Sequence, residues 1–367
     1  MKRKIRYAVV GLGHIAQAAV LPAFKQAKVN SELTALISGD ATKLRVLGKQ
    51  YKVENLFDYS EYEKCMASGL VDAVYIATPN TMHRQFAEIA AKHGVHVLTE
   101  KPMAPRQQDC LSMIQAARLN KIKLMVAYRL HFDPANLAVI ETINKGQIGD
   151  ARIFNSTFTM QVADLNNIRL QKKMAGGPLY DIGIYCINAA RYIFQDEPVE
   201  VSATRATSND PRFKEVEEMI AVTMRFTKAR LATFAISFGA ADSSMYEVLG
   251  TAGQIRLQNS YEMNQTMTLT TKTDSRERKK VFKKHDQFAP ELQYFSDCIL
   301  KNKEPEPSGE EGLLDIKIIE AIYRSLRTGQ ITKIDYYHKT TRPTQKLRMQ
   351  KPAHGMPRIV NANGPQG

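Results

Sequence analysis

The residues best placed for chemistry lie where short apolar runs end. Thr99-Glu100-Lys101-Pro102-Met103 sets a lysine at the end of the run Val95–Thr99, against a proline that restricts the backbone before it. Gly11-Leu12-Gly13-His14-Ile15-Ala16 ends the run Ile5–Val10 in a G-x-G-x-x-A pattern, with a strand before it and a helix after it. In that setting Gly11 permits a tight turn and Gly13 lets the backbone approach a pyrophosphate. Ala16 keeps the helix close to the strand, and the free N–H groups of the helix N-terminus face the phosphates. The chemistry implied begins with binding a dinucleotide and bringing it to Lys101.

The elements that must position these residues alternate in type. Leu33–Ile37 reads as the second strand, and Ser38-Gly39-Asp40 follow it where an NAD site would place an acid on the ribose hydroxyl. Small groups followed by Lys43 and Arg45 suit a 2′-phosphate and favour NADP. NAD stays the alternative, because Asp40 is able to turn toward a ribose; Ser38 and Asp40 also fit as helix caps. Val71–Ala77 is a buried strand leading to Thr78-Pro79-Asn80 and a helix over Thr81–Lys92. Val95–Thr99, a helix over Pro105–Leu119 and a strand over Lys123–Tyr128 continue the pattern. Such repeats predict an α/β Rossmann domain over 1–128, with a parallel sheet and ligands at the carboxyl ends of its strands.

The period changes beyond a helix over Asp133–Gly146. Ile153–Met160, Glu200–Thr207, Met219–Phe226 and Leu231–Phe238 read as strands, with shorter ones at Ser244–Leu249, Ile255–Leu257 and Met267–Thr271. This predicts a second, α+β domain over 129–338 with an open, mainly antiparallel sheet and helices on one face. The polar stretch Lys272–Asp286 reads as a hairpin or loop at the sheet edge. Helices over Pro290–Leu300 and Glu310–Thr328 close the domain, the last packing back on the first domain. The open face is expected to be apolar and to be covered by a second copy, giving a homodimer or homotetramer.

The 367 residues carry a net charge of +14, which raises the question of nucleic acid. Its placement argues against such a partner: basic residues cluster in the first six positions and in a tail over 339–367 that contains no acid. Rich in Pro, Gln, Asn and Gly, that tail is expected to be disordered. The 4 cysteines are scattered and the histidines lack ligand spacing, so no metal site is expected. No apolar run is long enough to span a membrane. The basic start runs straight into the glycine motif and reads as strand rather than leader, which points to the cytoplasm.

The motifs together resemble the glucose–fructose oxidoreductase and inositol dehydrogenase (Gfo/Idh/MocA) family of NAD(P)-dependent oxidoreductases. The resemblance rests on Gly-Leu-Gly-His-Ile-Ala at 11–16, Ala-Thr-Pro-Asn-Thr-Met-His at 77–83 and Glu-Lys-Pro-Met-Ala at 100–104. Tyr128-Arg129 and Ala-Gly-Gly-Pro-Leu-Tyr-Asp-Ile-Gly-Ile-Tyr at 175–185 extend it, the latter nearest to glucose–fructose oxidoreductase itself. Ile168, before Arg169, stands where the family carries tryptophan. The resemblance implies a catalytic group of Lys101, Asp181 and Tyr185. It implies cofactor contacts from Leu12, His14, Ile15, Gly39, Thr78, Pro79, Asn80, His83, Glu100, Arg129 and Arg169 beside Gly11, Gly13, Ser38, Lys43 and Lys101. Oxidising a sugar hydroxyl needs a base for its proton, and Tyr185 serves if a cation such as Lys101 stabilises its phenolate. Asp181, four residues before Tyr185, shares its helix face. The leading expectation is oxidation of an aldose at C1 to its lactone, with cofactor recycled on a second sugar. The alternatives are a polyol or sugar-derivative dehydrogenase with exchangeable cofactor, and a non-catalytic cofactor sensor.

Overall fold

The computed structural model describes residues 3–274 and 276–365. Met1, Lys2, Ser275, Gln366 and Gly367 lie outside the described residues, and with them parts of the basic start and the tail. The chain divides into two compact units: Met1–Arg129 with Asp286–Leu313 and Lys351–Gly364, and Leu130–His285 with Leu314–Gln350 and Pro365–Gly367.

The first unit is built on six parallel strands: β1 (Ile5–Val10), β2 (Ser31–Ile37), β3 (Asn55–Phe57), β4 (Ala73–Ile76), β5 (His96–Thr99) and β6 (Leu124–Val126). Their order is β3-β2-β1-β4-β5-β6, the doubly wound arrangement whose switch point lies between β1 and β4. β3, three residues long and half-buried, has no counterpart in the sequence reading, since it is too short to show a period. Strands β1, β4 and β5 are almost continuously apolar because helices cover both faces. One of those helices, Phe288–Leu300, comes from late in the chain. It is held by a buried Ser296 hydroxyl that meets both Tyr7 Oη and Ser31 Oγ at 2.8 Å.

The second unit carries a nine-stranded sheet: β7 (Ala151–Thr159), β8 (Pro198–Ala206), β9 (Met219–Phe226), β10 (Arg230–Ser237), β11 (Ser243–Gly250), β12 (Gly253–Gln258), β13 (Met267–Thr273), β14 (Arg276–Phe282) and a two-residue edge strand, Thr332–Lys333. All named pairs are antiparallel except β7 with β10. The fold class is therefore a parallel Rossmann sheet plus an open, mainly antiparallel one. The charge-rich segment after β13 forms the edge hairpin with β14, whose exposed Arg276, Arg278, Lys279 and Lys280 protect a free edge.

Two late helices reach the first unit: Phe288–Leu300, which the sequence reading placed in the second domain, and the start of Gly309–Thr328, to Leu313, where Gly309 lies against Leu124 and Gly312 against Met103 and Val126. One expectation is corrected here. The open face of the large sheet is mixed rather than apolar. Across it run Ser202, Thr223, Thr233, Asn155 and Glu247 in register, with Ile153, Leu231 and Met219 exposed beside them. The described part of the tail has an anchor that its composition does not show: Arg342 pairs with the buried Glu197 at 2.7 Å. No helix of the described residues is long and apolar enough to cross a membrane.

Candidate active site

The carboxyl ends of β2, β1, β4 and β5 stand in one row. Val10 is level with Ile37 on one side and Ile76 on the other, and Ile76 is level with Thr99. The residues that follow, Ser38, Gly11, Ala77 and Glu100, are therefore neighbours about 5 Å apart across the sheet. Gly11 has φ +88°, and a Cβ there would sit 2.6 Å from the Ala77 carbonyl carbon, so only glycine fits. Gly13 has nothing within 4 Å of a would-be Cβ among the described residues, which leaves the backbone of the loop open to a ligand. The Thr78 hydroxyl oxygen is buried with no partner among the described residues. An open glycine loop beside an unsatisfied buried hydroxyl is what a pyrophosphate-bearing dinucleotide needs, so the residues fit the cofactor.

Other predicted cofactor residues divide into two groups. Leu12 is buried, while His14, Ile15, Lys43, Pro79 and Asn80 are half-buried along the same rim and Gly39 is exposed. Asp40 caps the helix Ala41–Tyr51, accepting from Thr42 N at 2.9 Å and Lys43 N at 3.0 Å, and these bonds hold its carboxyl below the usual range. With Ser38 buried and Asp40 committed as a cap, the end of β2 lacks the free acid that would select NAD. His83 is turned inward. Fully buried, its ring lies 3.0 Å from Pro102 O and 2.9 Å from Thr78 O, and burial keeps it below its ordinary pKa. It braces the Thr78 and Pro102 loops.

Lys101 is half-buried after β5 and joined to Pro102 by a cis peptide bond. Gly312 lies behind this loop: a Cβ there would come within 2.7 Å of Met103 Cβ. Glu100, just before Lys101, forms a buried acidic pair with Glu291. Glu100 accepts from Tyr75 Oη at 2.7 Å, and burial raises its pKa against the pull of Lys101 and Arg129. Glu291 is 0% exposed, its two carboxyl oxygens lack a hydrogen-bond partner among the described residues, and burial raises its pKa well above the usual value. Arg129 is buried here and donates to Gln287. Sequence reasoning missed Gln287 and Glu291, which sit in and just before an apolar helix more than 150 residues from Arg129. The one signal was two polar residues in the first turn of that helix.

In the second unit, Asp181 and Tyr185 sit where a π-helical turn, Leu179–Gly183, enters the helix Ile184–Phe194. Such wide turns recur at functional sites because they re-aim side chains. Asp181 accepts from Arg169 Nε at 2.6 Å, with both side chains partly exposed. Arg169 is thus placed as the partner of Asp181. The Tyr185 ring is half-buried against Phe158 and Tyr261, with centroids 5.7 and 5.9 Å away, which fixes its direction. The helix carrying it is anchored by a buried polar network. His131 Nε2 lies 2.8 Å from Asn188 Oδ1, and Asn188 donates to Asp315 at 3.0 Å. Arg191, 0% exposed, spans Asp315 and Glu197, each at 2.5 Å. Among the described residues no group of three or more His, Cys, Asp or Glu is placed to hold a metal.

Comparison with known proteins adds the chemistry. The family model for the oxidoreductase NAD-binding Rossmann fold matches residues 5–128, and that for the oxidoreductase C-terminal alpha/beta domain matches 140–335. A D-xylose 1-dehydrogenase [NADP(+)] of Haloarcula marismortui is 30% identical over 337 residues, covering 90% of this chain and 93% of that protein. A 1,5-anhydro-D-fructose reductase of Ensifer adhaerens is 27% identical, over 90% of this chain and 98% of its own. A crystal structure of aldose–aldose oxidoreductase from Caulobacter crescentus superposes with a TM-score of 0.86 at 35% identity, covering 90% of this chain and 100% of that one. These relatives carry the expected resemblance at the level of the family; the finer likeness to glucose–fructose oxidoreductase rests on the motifs alone. The chain belongs to the Gfo/Idh/MocA oxidoreductase family and is an NAD(P)-dependent enzyme acting on sugar CH–OH groups, with NADP as its cofactor and NAD as the alternative.

Proposed function

We propose that this enzyme is an NADP-dependent sugar dehydrogenase that oxidises a hydroxyl-bearing carbon of an aldose or a related sugar derivative. The observation that carries the reading is the Asp181–Arg169 pair, one turn before an aromatic-braced Tyr185. A carboxylate held by a guanidinium keeps an oriented acceptor for sugar hydroxyls, and a fixed phenolate beside it is the group that takes a proton. The bound dinucleotide supplies the hydride acceptor. Tyr185 receives the hydroxyl proton, Asp181 orients the substrate, and the Lys101 ammonium stabilises the negative charge that develops as the proton leaves. Within this reading, C1 of an aldose is the favoured carbon, supported by the two relatives named for aldose chemistry. A polyol carbon is the second reading, supported by the family's breadth. The open face of the large sheet takes a second copy of the chain, and the protein works in the cytoplasm.

The test incubates the protein with NADP+ and a panel of aldoses, polyols and sugar derivatives, following NADPH and identifying the product. An aldonolactone or its aldonate is expected; a ketose product moves the reaction off C1. Lys101→Met and Tyr185→Phe should each lower kcat by roughly 10²-fold or more, with dinucleotide affinity retained. Unchanged turnover in both would remove these residues from the mechanism.

A further inference from the structure

Residues 351–364 lie beyond the end of the family model at 335, yet they belong to the first unit. Their contacts converge on the dinucleotide motif. The amide of Gln17, 1% exposed, clamps the main chain of Val360: Nε2 donates to Val360 O at 2.9 Å, and Oε1 accepts from Val360 N at 2.8 Å. The same Nε2 donates to Leu12 O at 2.9 Å, so one side chain ties the segment to the phosphate loop itself. Asn361 Nδ2 donates to Asp40 Oδ2 at 3.1 Å, at the end of β2 where the ribose of a dinucleotide is read. Gly364 approaches so closely that a Cβ there would lie 3.1 Å from the His14 ring. Farther back, Gln26 donates to Pro352 O.

We propose that residues 351–364 form a strap along the rim of the dinucleotide site that sets how fast the bound dinucleotide leaves. The inference rests on the reading of this site as an NADP site. Two features distinguish a strap from a plug. The space at Gly13 stays open while Val360, Asn361 and Gly364 hold its edge. The segment also carries Lys351 and Arg358 and no acid, a charge that complements a phosphate-bearing ligand instead of imitating one. Asn361 further engages Asp40, the acid that caps the helix after β2. A strap so placed slows release without altering the reacting groups, which is how lids come to limit turnover.

The test loads the full chain with NADPH and chases it with excess NADP+, following the loss of bound-NADPH fluorescence by stopped flow. Two variants are compared: a chain ending at Gln350, and a full-length Val360→Pro/Asn361→Ala protein that lacks the N–H and amide donors. Circular dichroism melting establishes that each is folded; if the shortened chain is not, the full-length variant decides. The release rate is expected to rise at least about tenfold in each, equivalent to about 1.4 kcal/mol. An unchanged rate in the folded variants overturns the strap. Slower release, or tighter NADPH binding on shortening, also overturns it, because the segment would then compete with the dinucleotide. Failure of the full chain to bind NADPH or NADH at all is a different outcome: it removes the NADP site itself, and the strap with it.

Discussion

At the scale of single residues, the most consequential group outside the proposed catalytic set is Glu291. Its carboxyl is fully buried without a hydrogen-bond partner among the described residues, near Glu100, and its pKa in the folded protein stands well above 4.5. A group whose folded pKa is raised favours the fold while both states are protonated and loses that advantage as pH climbs from the unfolded value through the folded one. Glu291 therefore costs stability progressively above about pH 4.5. Glu291→Gln keeps the shape and removes the ionisation. Its melting temperature should exceed that of the parent at pH 8 and converge with it near pH 4. A difference that does not change with pH would show that Glu291 is ionised or solvated in the fold. A buried acid kept at such expense, beside Glu100 and Arg129, is the kind of feature that accumulates near reacting groups.

At the scale of elements, the helix Ile184–Phe194 presents Tyr185 and must not move. Its anchor is Arg191, which neutralises Asp315 and Glu197 in a fully buried setting. Arg191→Met should cost about 3–5 kcal/mol, because it leaves buried carboxylates uncompensated. Urea unfolding at pH 7 reads that loss directly. The loss should shrink toward pH 4 as the stranded carboxyls take up protons, whereas a purely steric defect would be insensitive to pH. Arg342, the tail residue paired with Glu197, moderates the loss on one side and leaves Asp315 to Asn188 on the other.

At the scale of the whole molecule, the open face of the large sheet is lined by hydroxyls, amides and small side chains with a few exposed aliphatics. The proposed pairing of this face with a second copy would rest on close packing and hydrogen bonding more than on apolar area. Thr233, at the centre of the row and bonded to Asn155 at 2.6 Å, is the position most sensitive to a bulky charge. Light scattering should find an oligomer for the parent chain and a monomer for Thr233→Arg. An oligomer that survives this change would place the interface elsewhere.

How much of this was legible beforehand follows from the range of the interactions involved. Gly11, Gly13, the row of strand ends and Lys101 follow from local rules: apolar runs, punctuating glycines and a strand that delivers its last residue to the sheet edge. The parallel Rossmann sheet and the open second sheet were accessible for the same reason, whereas the order of the strands was not. Tertiary structure alone decided what depends on which distant segments meet. His83 reads as an outward motif residue until the Pro102 loop closes on it. Arg169 reads only as a motif residue until its Nε is seen to donate to Asp181. The helix Phe288–Leu300 reads as part of the second domain until Ser296 reaches Tyr7 and Ser31. The tail reads as disordered by composition, and among its described residues Gln17, Asp40 and Glu197 supply partners one bond at a time. Local pattern determines which elements form and where they end. The pairing of buried polar groups, satisfied across hundreds of residues, decides which of them become the site.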